Sequence, residues 1–415
     1  MPTQIGEIIG LITLTLWQIF KATWWILLPI YLLSRVQPLY LRYKKTQYLE
    51  KIDWVLLEIS LPPEVEKTPK AMENVLEGFH GSWSPPTARE RWTEGAIVDQ
   101  FSLEMVGIHG ELHFYVRCKR KQRNFIESKI YAQYPDAEIY EASDYTRDLP
   151  AEVPGPDYEL WGADYILNRK WVYPIRTYIE FEDIEEERRM DPISQFAELV
   201  GKMEQGEHIW MQIVISPVLT ETQYDKAAQK EVDKLAGRES GGNYVDPLTK
   251  LFNAFSGGTG SSSQSEKKDD QYKLMNLTPG EKAKIEKIEI KDSKVKFKTS
   301  MRSVYIARKE AWHSEHIAGL QGYLRQFTAI NGFRPDPASF PKSSFVFFKK
   351  TRNYMRKRNI LSAYKSRFLG NTSAPYILNT EELATIYHFP GKVVRAPFMP
   401  RVSSRTSEPP RGLPT

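Results

Sequence analysis

The stretch from Ile8 to Leu33, IIGLITLTLWQIFKATWWILLPIYLL, constrains the rest of the chain more than any other. It is apolar apart from Gln18 and Lys21, and at about 1.5 Å per helical residue it outruns a hydrocarbon core of roughly 30 Å. The run predicts one transmembrane helix. A cleaved signal peptide would need a positive leader, a shorter apolar core and a small-residue cleavage site, whereas here Glu7 precedes the run and bulky residues follow it. A buried amphipathic core helix would need a polar face, which the run lacks. The anchor residues are Trp17, Lys21, Trp24, Trp25 and Pro29. Trp24 and Trp25, with Tyr31 and Tyr40, suit the membrane interface. Lys21 is expected to snorkel or to face a partner helix, and Pro29 to kink the inner end. Arg35, Arg42, Lys44 and Lys45 follow the run and no Lys or Arg precedes it, which directs the remainder of the chain to the cytoplasmic side.

That remainder is long enough for two or three domains in a chain of 415 residues. Its only cysteine, Cys118, excludes an internal disulfide framework and every multi-cysteine metal site. A net charge of +5 does not by itself imply a nucleic-acid partner, so the distribution of charge matters more.

Alternation of Val55, Leu57, Ile59 and Leu61 predicts a strand. Thr68 and Pro69 open a helix with Met72, Val75, Leu76 and Phe79 on one face, stopped at Gly81. Phe101 to Met105 and Leu112 to Val116 form a hairpin around Gly107 to Gly110. A helix over Arg120 to Tyr134 and a strand over Ala137 to Ala142 complete the order βαββαβ, the split βαβ or ferredoxin-like sandwich. After the Pro-rich joint at Pro150 to Pro156, strands are expected at Trp161 to Leu167 and Tyr173 to Phe181. An acidic run at Glu180 to Glu187 and a helix with Ile193, Phe196, Val200 and Met203 come next. A strand at Ile209 to Val218 and a helix at Thr220 to Ala236 lead into a Gly- and Ser-rich stretch. Thr278 and Glu281 make a capping box, Val295 to Ala307 a strand, Ser314 to Ala329 a helix, and Asn379 with Glu382 a second capping box.

The expected fold class is therefore α+β: an N-terminal transmembrane helix followed by two ferredoxin-like modules with antiparallel sheets. The expected boundaries are an anchor and basic flank at 1–45, a first module at 46–150 and a second at 157–340 with a disordered insertion at 237–272. A basic helical segment at 341–395 and a disordered tail at 396–415 follow.

The sequence holds no Gly-rich turn followed by Lys and Ser or Thr, no HExxH and no GxSxG. GGTGS in the Gly-rich stretch lacks the Lys. His313 and His316 have a metal-ligand spacing, but without accompanying cysteines or a carboxylate cluster they read as surface histidines. Basic neighbours could lower the pKa of Cys118, although a lone thiol at a strand end is more often structural. No catalytic residue, cofactor site or metal site is expected. Two basic clusters remain, Arg117 to Arg123 and Lys342 to Arg367. The second, with Lys349, Lys350, Arg352, Arg356, Lys357, Arg358, Lys365 and Arg367 interleaved by aromatics, could contact nucleic acid, an anionic lipid surface or only solvent.

Three blocks carry a family resemblance. They are ELHFYVRCKRKQRNFIESKIYAQYPDAEIYEASDY (Glu111 to Tyr145), LNTEELATIYHFP (Leu378 to Pro390) and EPPRGLP (Glu408 to Pro414). From about Trp54 onward the chain resembles the N-terminal, membrane-anchored region of conjugative-transfer and type IV secretion ATPases of the HerA/FtsK-like motor family. In that family this region precedes the motor, and the sequence stops at Pro414-Thr415, about where the motor would start. The resemblance therefore implies no catalytic residue here. It implies a non-catalytic, single-pass protein of the bacterial inner membrane that serves as a scaffold or docking component. Its expected partners are a HerA/FtsK-like ATPase or secretion subunits, with homo-oligomerisation also open. The alternative is a membrane-tethered nucleic-acid-binding protein that uses residues 342–367.

Overall fold

The computed structural model describes residues 2–62, 67–150, 152–181, 191–219, 223–236, 277–342, 347–370 and 373–391. The expected insertion at 237–272, the tail at 396–415 and most of the acidic run at Glu180 to Glu187 lie outside the described residues. In chain order the elements begin with α1 Pro2–Glu50, β1 Trp54–Ser60, α2 Pro69–His80, α3 Ala88–Thr93, β2 Phe101–Ile108 and β3 Glu111–Lys119. Then come α4 Arg123–Gln133, β4 Glu138–Glu141, β5 Tyr158–Leu167, α5 Ser194–Gly201, β6 Glu207–Pro217 and α6 Gln223–Leu235. The last are α7 Pro279–Ser293, β7 Lys296–Arg308, α8 Ser314–Arg325, β8 Phe333–Pro335, α9 Lys349–Ser366, β9 Tyr376–Asn379 and α10 Thr380–Ile386.

Two compact units result, one made of residues up to Asp53 with Ser84–Val98, the other of Trp54–Trp83 with everything from Asp99 onward. In the first, α1 is one continuous helix and α3 is closed by a reciprocal capping box between Thr87 and Glu90. Tyr40 stacks on Trp92 at 6.3 Å between ring centres. Gly95, at φ +78°, lets the chain pass close to the helix, because a Cβ there would lie 2.3 Å from the Lys44 carbonyl carbon.

This unit corrects the expectation of an anchor. Among the described residues no helix is long and apolar enough to cross a membrane. Far from stopping at Leu33, α1 continues to Glu50, so Arg35, Arg42, Lys44 and Lys45 ride on the same helix that has Gln18 and Lys21 in its apolar stretch. Trp17, Trp24 and Trp25 lie exposed along it. Lys21 sits over the Trp17 ring at 5.4 Å, and the Trp25 indole N–H donates to the Ala22 carbonyl at 2.8 Å. A single-pass protein of the bacterial cell membrane is not supported.

Among the described residues the second unit is built on one sheet of nine strands. Its order is β4-β1-β3-β2-β6-β7-β5-β8, with β9 pairing β7 beyond the end of β5, and every pairing is antiparallel. The expected pair of modules with separate sheets is thus corrected to a single sheet. The reason lies in β2. All its residues from Phe101 to Gly107 are buried, and an apolar strand of that kind left at an edge would expose unpaired backbone and apolar side chains. Here β6 closes that edge, with Phe101 opposite Ile215 and Ile108 opposite His208. Seen from this seam outward, the order of the first four strands is repeated in mirror sense by β6, β7, β5 and β8.

Strand alternation sends side chains to two cores. On one face Ile209, Met211, Ile213 and Ile215 of β6 join the main core with residues of α2, α4, α5, α8 and α10. On the other, Trp210 joins Leu56, Val106, Leu160, Val304 and Ile306 beneath Ile360, Leu361 and Tyr364 of α9. One expected strand is absent: Tyr173 to Phe181 is a loop ending in a 3₁₀ turn at Tyr178–Glu180. Pro174 cannot donate to a ladder. The Ile175 and Tyr178 N–H groups donate instead to the Glu382 carboxylate and the Thr385 hydroxyl, at 3.0 and 2.9 Å.

Candidate functional site

Helix α9 carries Lys349, Lys350, Arg352, Arg356, Lys357, Arg358 and Lys365 and no acidic residue. Its first turn breaks the usual rules for a helix start. Cations sit at the positive end of the macrodipole. Phe348 precedes them with a left-handed backbone, φ 54°, and makes no side-chain cap. Tertiary contacts from the far end hold this helix in place.

Those contacts centre on two buried arginines. Arg302 of β7 is oriented by Asp164 at 3.1 Å and donates to the Ala363 and Phe368 carbonyls at the C-terminal end of α9, supplying partners that the last helical turn lacks. Arg367, just past the helix at φ 49°, donates to both oxygens of Glu104 at 2.7 and 3.1 Å and both of Asp144 at 2.7 and 2.9 Å. Glu104 also accepts from Ser102, Tyr145 and Gln212, and the Tyr145 and Tyr364 hydroxyls meet at 2.8 Å. Burial pushes the Glu104 carboxyl up, but Arg367, Ser102 and Tyr145 outweigh it and hold it below the usual carboxylate range. Asp144, pushed up by burial and more strongly down by Arg367, is held at about 2.

The expected contact residues therefore separate into two groups. Arg367 is buried in the network just described. Arg356 donates to the Phe340 carbonyl at 2.7 Å, and Lys357 pairs with Glu159 at 2.7 Å. Lys349, Lys350, Arg352, Arg358 and Lys365 are exposed. Beside them stand Phe347, Phe348, Tyr354 and Met355, exposed by 69, 80, 45 and 57%. Arg358 lies over the Tyr354 ring at 5.8 Å. This is a basic, aromatic surface carried on a helix whose far end is fixed.

Most of the other sequence candidates find partners within the fold, while Lys121 and His313 are exposed. In the first basic cluster Arg117 stacks on Trp54 at 4.3 Å, Lys119 pairs with Asp99, Arg120 forks onto Glu141, and Arg123 pairs with Glu127. Cys118 is buried, and burial with the Glu127 charge pushes its thiol up to about 12 despite Arg117 and Arg123. His316 faces Glu207 at 3.3 Å, and among the described residues no group of three His, Cys, Asp or Glu side chains could hold a metal. Glu104, Asp164, Gln212 and Arg302 were not foreseen. Their signal was there, as single polar residues inside apolar strands, which a fold must pair.

A family model described as a domain of unknown function, DUF8128, matches residues 41–398. The chain belongs to the DUF8128 family. The comparison with curated proteins gave no match. The DUF8128 match begins in the last turns of α1 and takes in the nine strands found among the described residues together with α9 and its two arginine anchors.

Proposed function

We propose that the chain is a non-catalytic docking component of a type IV secretion or conjugative DNA-transfer-like machine, with the exposed side of α9 as its docking surface. The observation that carries this reading is the N-terminal half of α9, where Lys349, Lys350 and Arg352 oppose the helix dipole beside exposed Phe347 and Phe348. Such a departure from local helix rules is expected at a functional surface. Aromatic residues, Met and Arg are also the types enriched in protein interfaces. The anchoring by Arg302 and Arg367 presents this surface with little ordering cost on binding. The family resemblance names the partner expected there, a HerA/FtsK-like ATPase or a secretion subunit.

The test is co-purification of the full chain from its native cells, beside a variant carrying Lys349→Glu, Lys350→Glu and Arg358→Glu. Recovery of such an ATPase with the parent and its loss with the variant supports the reading. Failure to recover one, or recovery undiminished by charge reversal, ends it. ATP turnover by the purified chain alone also contradicts the non-catalytic role.

A second reading, single-stranded nucleic acid on the same surface, is favoured by the exposed aromatic rings, which suit stacking of unpaired bases. It predicts oligonucleotide binding that weakens steeply with salt and is lost in a Phe347→Ala, Phe348→Ala variant.

A further inference from the structure

At one end of the central strands, on the face that α9 covers, lies a cavity of about 500 Å³ that takes no part in the surface just described. It is bounded by the β2–β3 turn, the first residues of β5 and β6, the end of β7 and the connection after β4. Its volume falls within the range of small-molecule sites.

The walls are aromatic. Tyr145 packs edge-on against Trp210 at 5.0 Å, His208 against Trp210 at 5.9 Å, and Tyr158 and Leu149 complete the lining. The polar groups are uncharged or offset. His109 occupies a left-handed position of the two-residue turn, φ 52°, where Asn or Gly would be ordinary. Its Nδ1 accepts the Gly206 N–H at 3.1 Å, which assigns the proton of the neutral ring to Nε2. Trp210 is 1% exposed, and its indole N–H has no hydrogen-bond partner among the described residues. The same holds for Nδ1 of His208. Burial, with the nearby His109 second, pushes His208 down to about 4, so its ring is neutral at pH 7. Arg308 donates to the Tyr158 hydroxyl at 3.3 Å and lies near Asp157 and Glu310, while Asp148 stands at the rim. The site thus rests on a buried aromatic floor of Tyr145 and Trp210 and offers at its surface the rings of His109, His208 and Tyr158, with no strong net charge.

We infer that this cavity binds a purine or pyrimidine base. A base supplies a planar face for the accessible rings of His109, His208 and Tyr158 and an edge of mixed donors and acceptors for the His109 Nε2–H and the Tyr158 hydroxyl, without requiring a charged partner. A free nucleoside and a base turned out of a nucleic-acid strand share this chemistry.

The full chain is titrated calorimetrically with adenosine, guanosine, cytidine and uridine, and separately with tetranucleotides of each base. Two variants accompany it. His109→Asn keeps a residue that tolerates the left-handed turn but removes the ring, and Leu149→Trp fills the cavity from its rim. At least one nucleoside is expected to bind with Kd below about 1 mM, and each variant to weaken it by about tenfold or more. Equal affinity for nucleoside and tetranucleotide identifies the free compound as the ligand; tighter binding of the tetranucleotide identifies a strand. Absence of binding by all eight probes, or affinities unchanged in His109→Asn, overturns the inference.

Discussion

Arg367 and Glu104 meet at 2.7 Å with both side chains buried, one at the end of α9 and the other in the middle of β2. A lone ion pair in such a place gains little over a well-packed apolar pair, because each charge is stripped of water. Here the same guanidinium also holds Asp144, and the same carboxylate is ringed by Ser102, Tyr145 and Gln212. The pair therefore fixes where α9 ends rather than simply adding stability.

Removing only the arginine leaves Glu104 buried without its main partner. Arg367→Leu is expected to lower stability by about 3–5 kcal/mol, read as a drop in the urea midpoint. The double variant Arg367→Leu, Glu104→Leu should recover a large part of that loss, since no fully buried charge is then stranded and the Asp144 left behind is 28% exposed. A double variant no more stable than the single would show that the loss arises from α9 itself.

Two groups give the chain an acid dependence in separate windows. His208 has a folded value of about 4 against about 6.5 unfolded, so the unfolded chain takes up the proton first and stability falls as pH drops from about 6.5 to about 4. The full effect is on the order of 3 kcal/mol. Asp144, held at about 2, contributes stability that is present above its unfolded value near 3.9 and is lost only below it. In His208→Gln the slope of melting temperature between pH 6.5 and 4.5 should flatten, while the decline below pH 4 remains. An unchanged slope in the upper window would assign it to other groups.

Cys118 should behave as a hydrophobic residue. With its thiol pushed up to about 12 and its side chain buried, thiolate is scarce at neutral pH. Iodoacetamide is expected to leave the native chain unmodified, as read by intact mass, and to add one carbamidomethyl group after urea is applied. Rapid native labelling would contradict this placement.

Gly107 lies where β2 passes under α5. A Cβ there would come within 2.7 and 2.9 Å of the two Val200 methyl groups, and a β-branched side chain cannot swing both away. Gly107→Ala is expected to cost about 1–3 kcal/mol, and Gly107→Ala with Val200→Ala to relieve much of it. Equal stability of Gly107→Ala and the parent would show that α5 shifts freely.

Local signals in the sequence were read well where the cause is local. The reciprocal capping boxes of Thr278 with Glu281 and Asn379 with Glu382 form as their spacing requires, and the hairpin turns at His109 and Gly110, both at positive φ. Distant pairings were not legible. Nothing near Phe101 specifies that its partner is Ile215, so the period of two in each strand gave the faces but not the seam. Lys349 to Arg358 stood out by composition. Arg367, in the same run, looked equally solvated, because its burial depends on Glu104 and Asp144, which belong to another part of the chain. The apolar stretch at Ile8 to Leu33 misled for the opposite reason: Arg35, Arg42, Lys44 and Lys45 read as a flank beyond the run, whereas they lie on the same helix, which continues to Glu50.

The seam between β2 and β6 also sets a timetable. During synthesis β2 emerges with β3 on one side and nothing on the other, and its partner is complete only when Pro217 has left the ribosome. At ordinary elongation speeds that interval is on the order of ten seconds. From the completion of β4 at Glu141 until then, the first four strands lack the strand that covers the apolar edge of β2, which leaves that edge open to pairing with other chains.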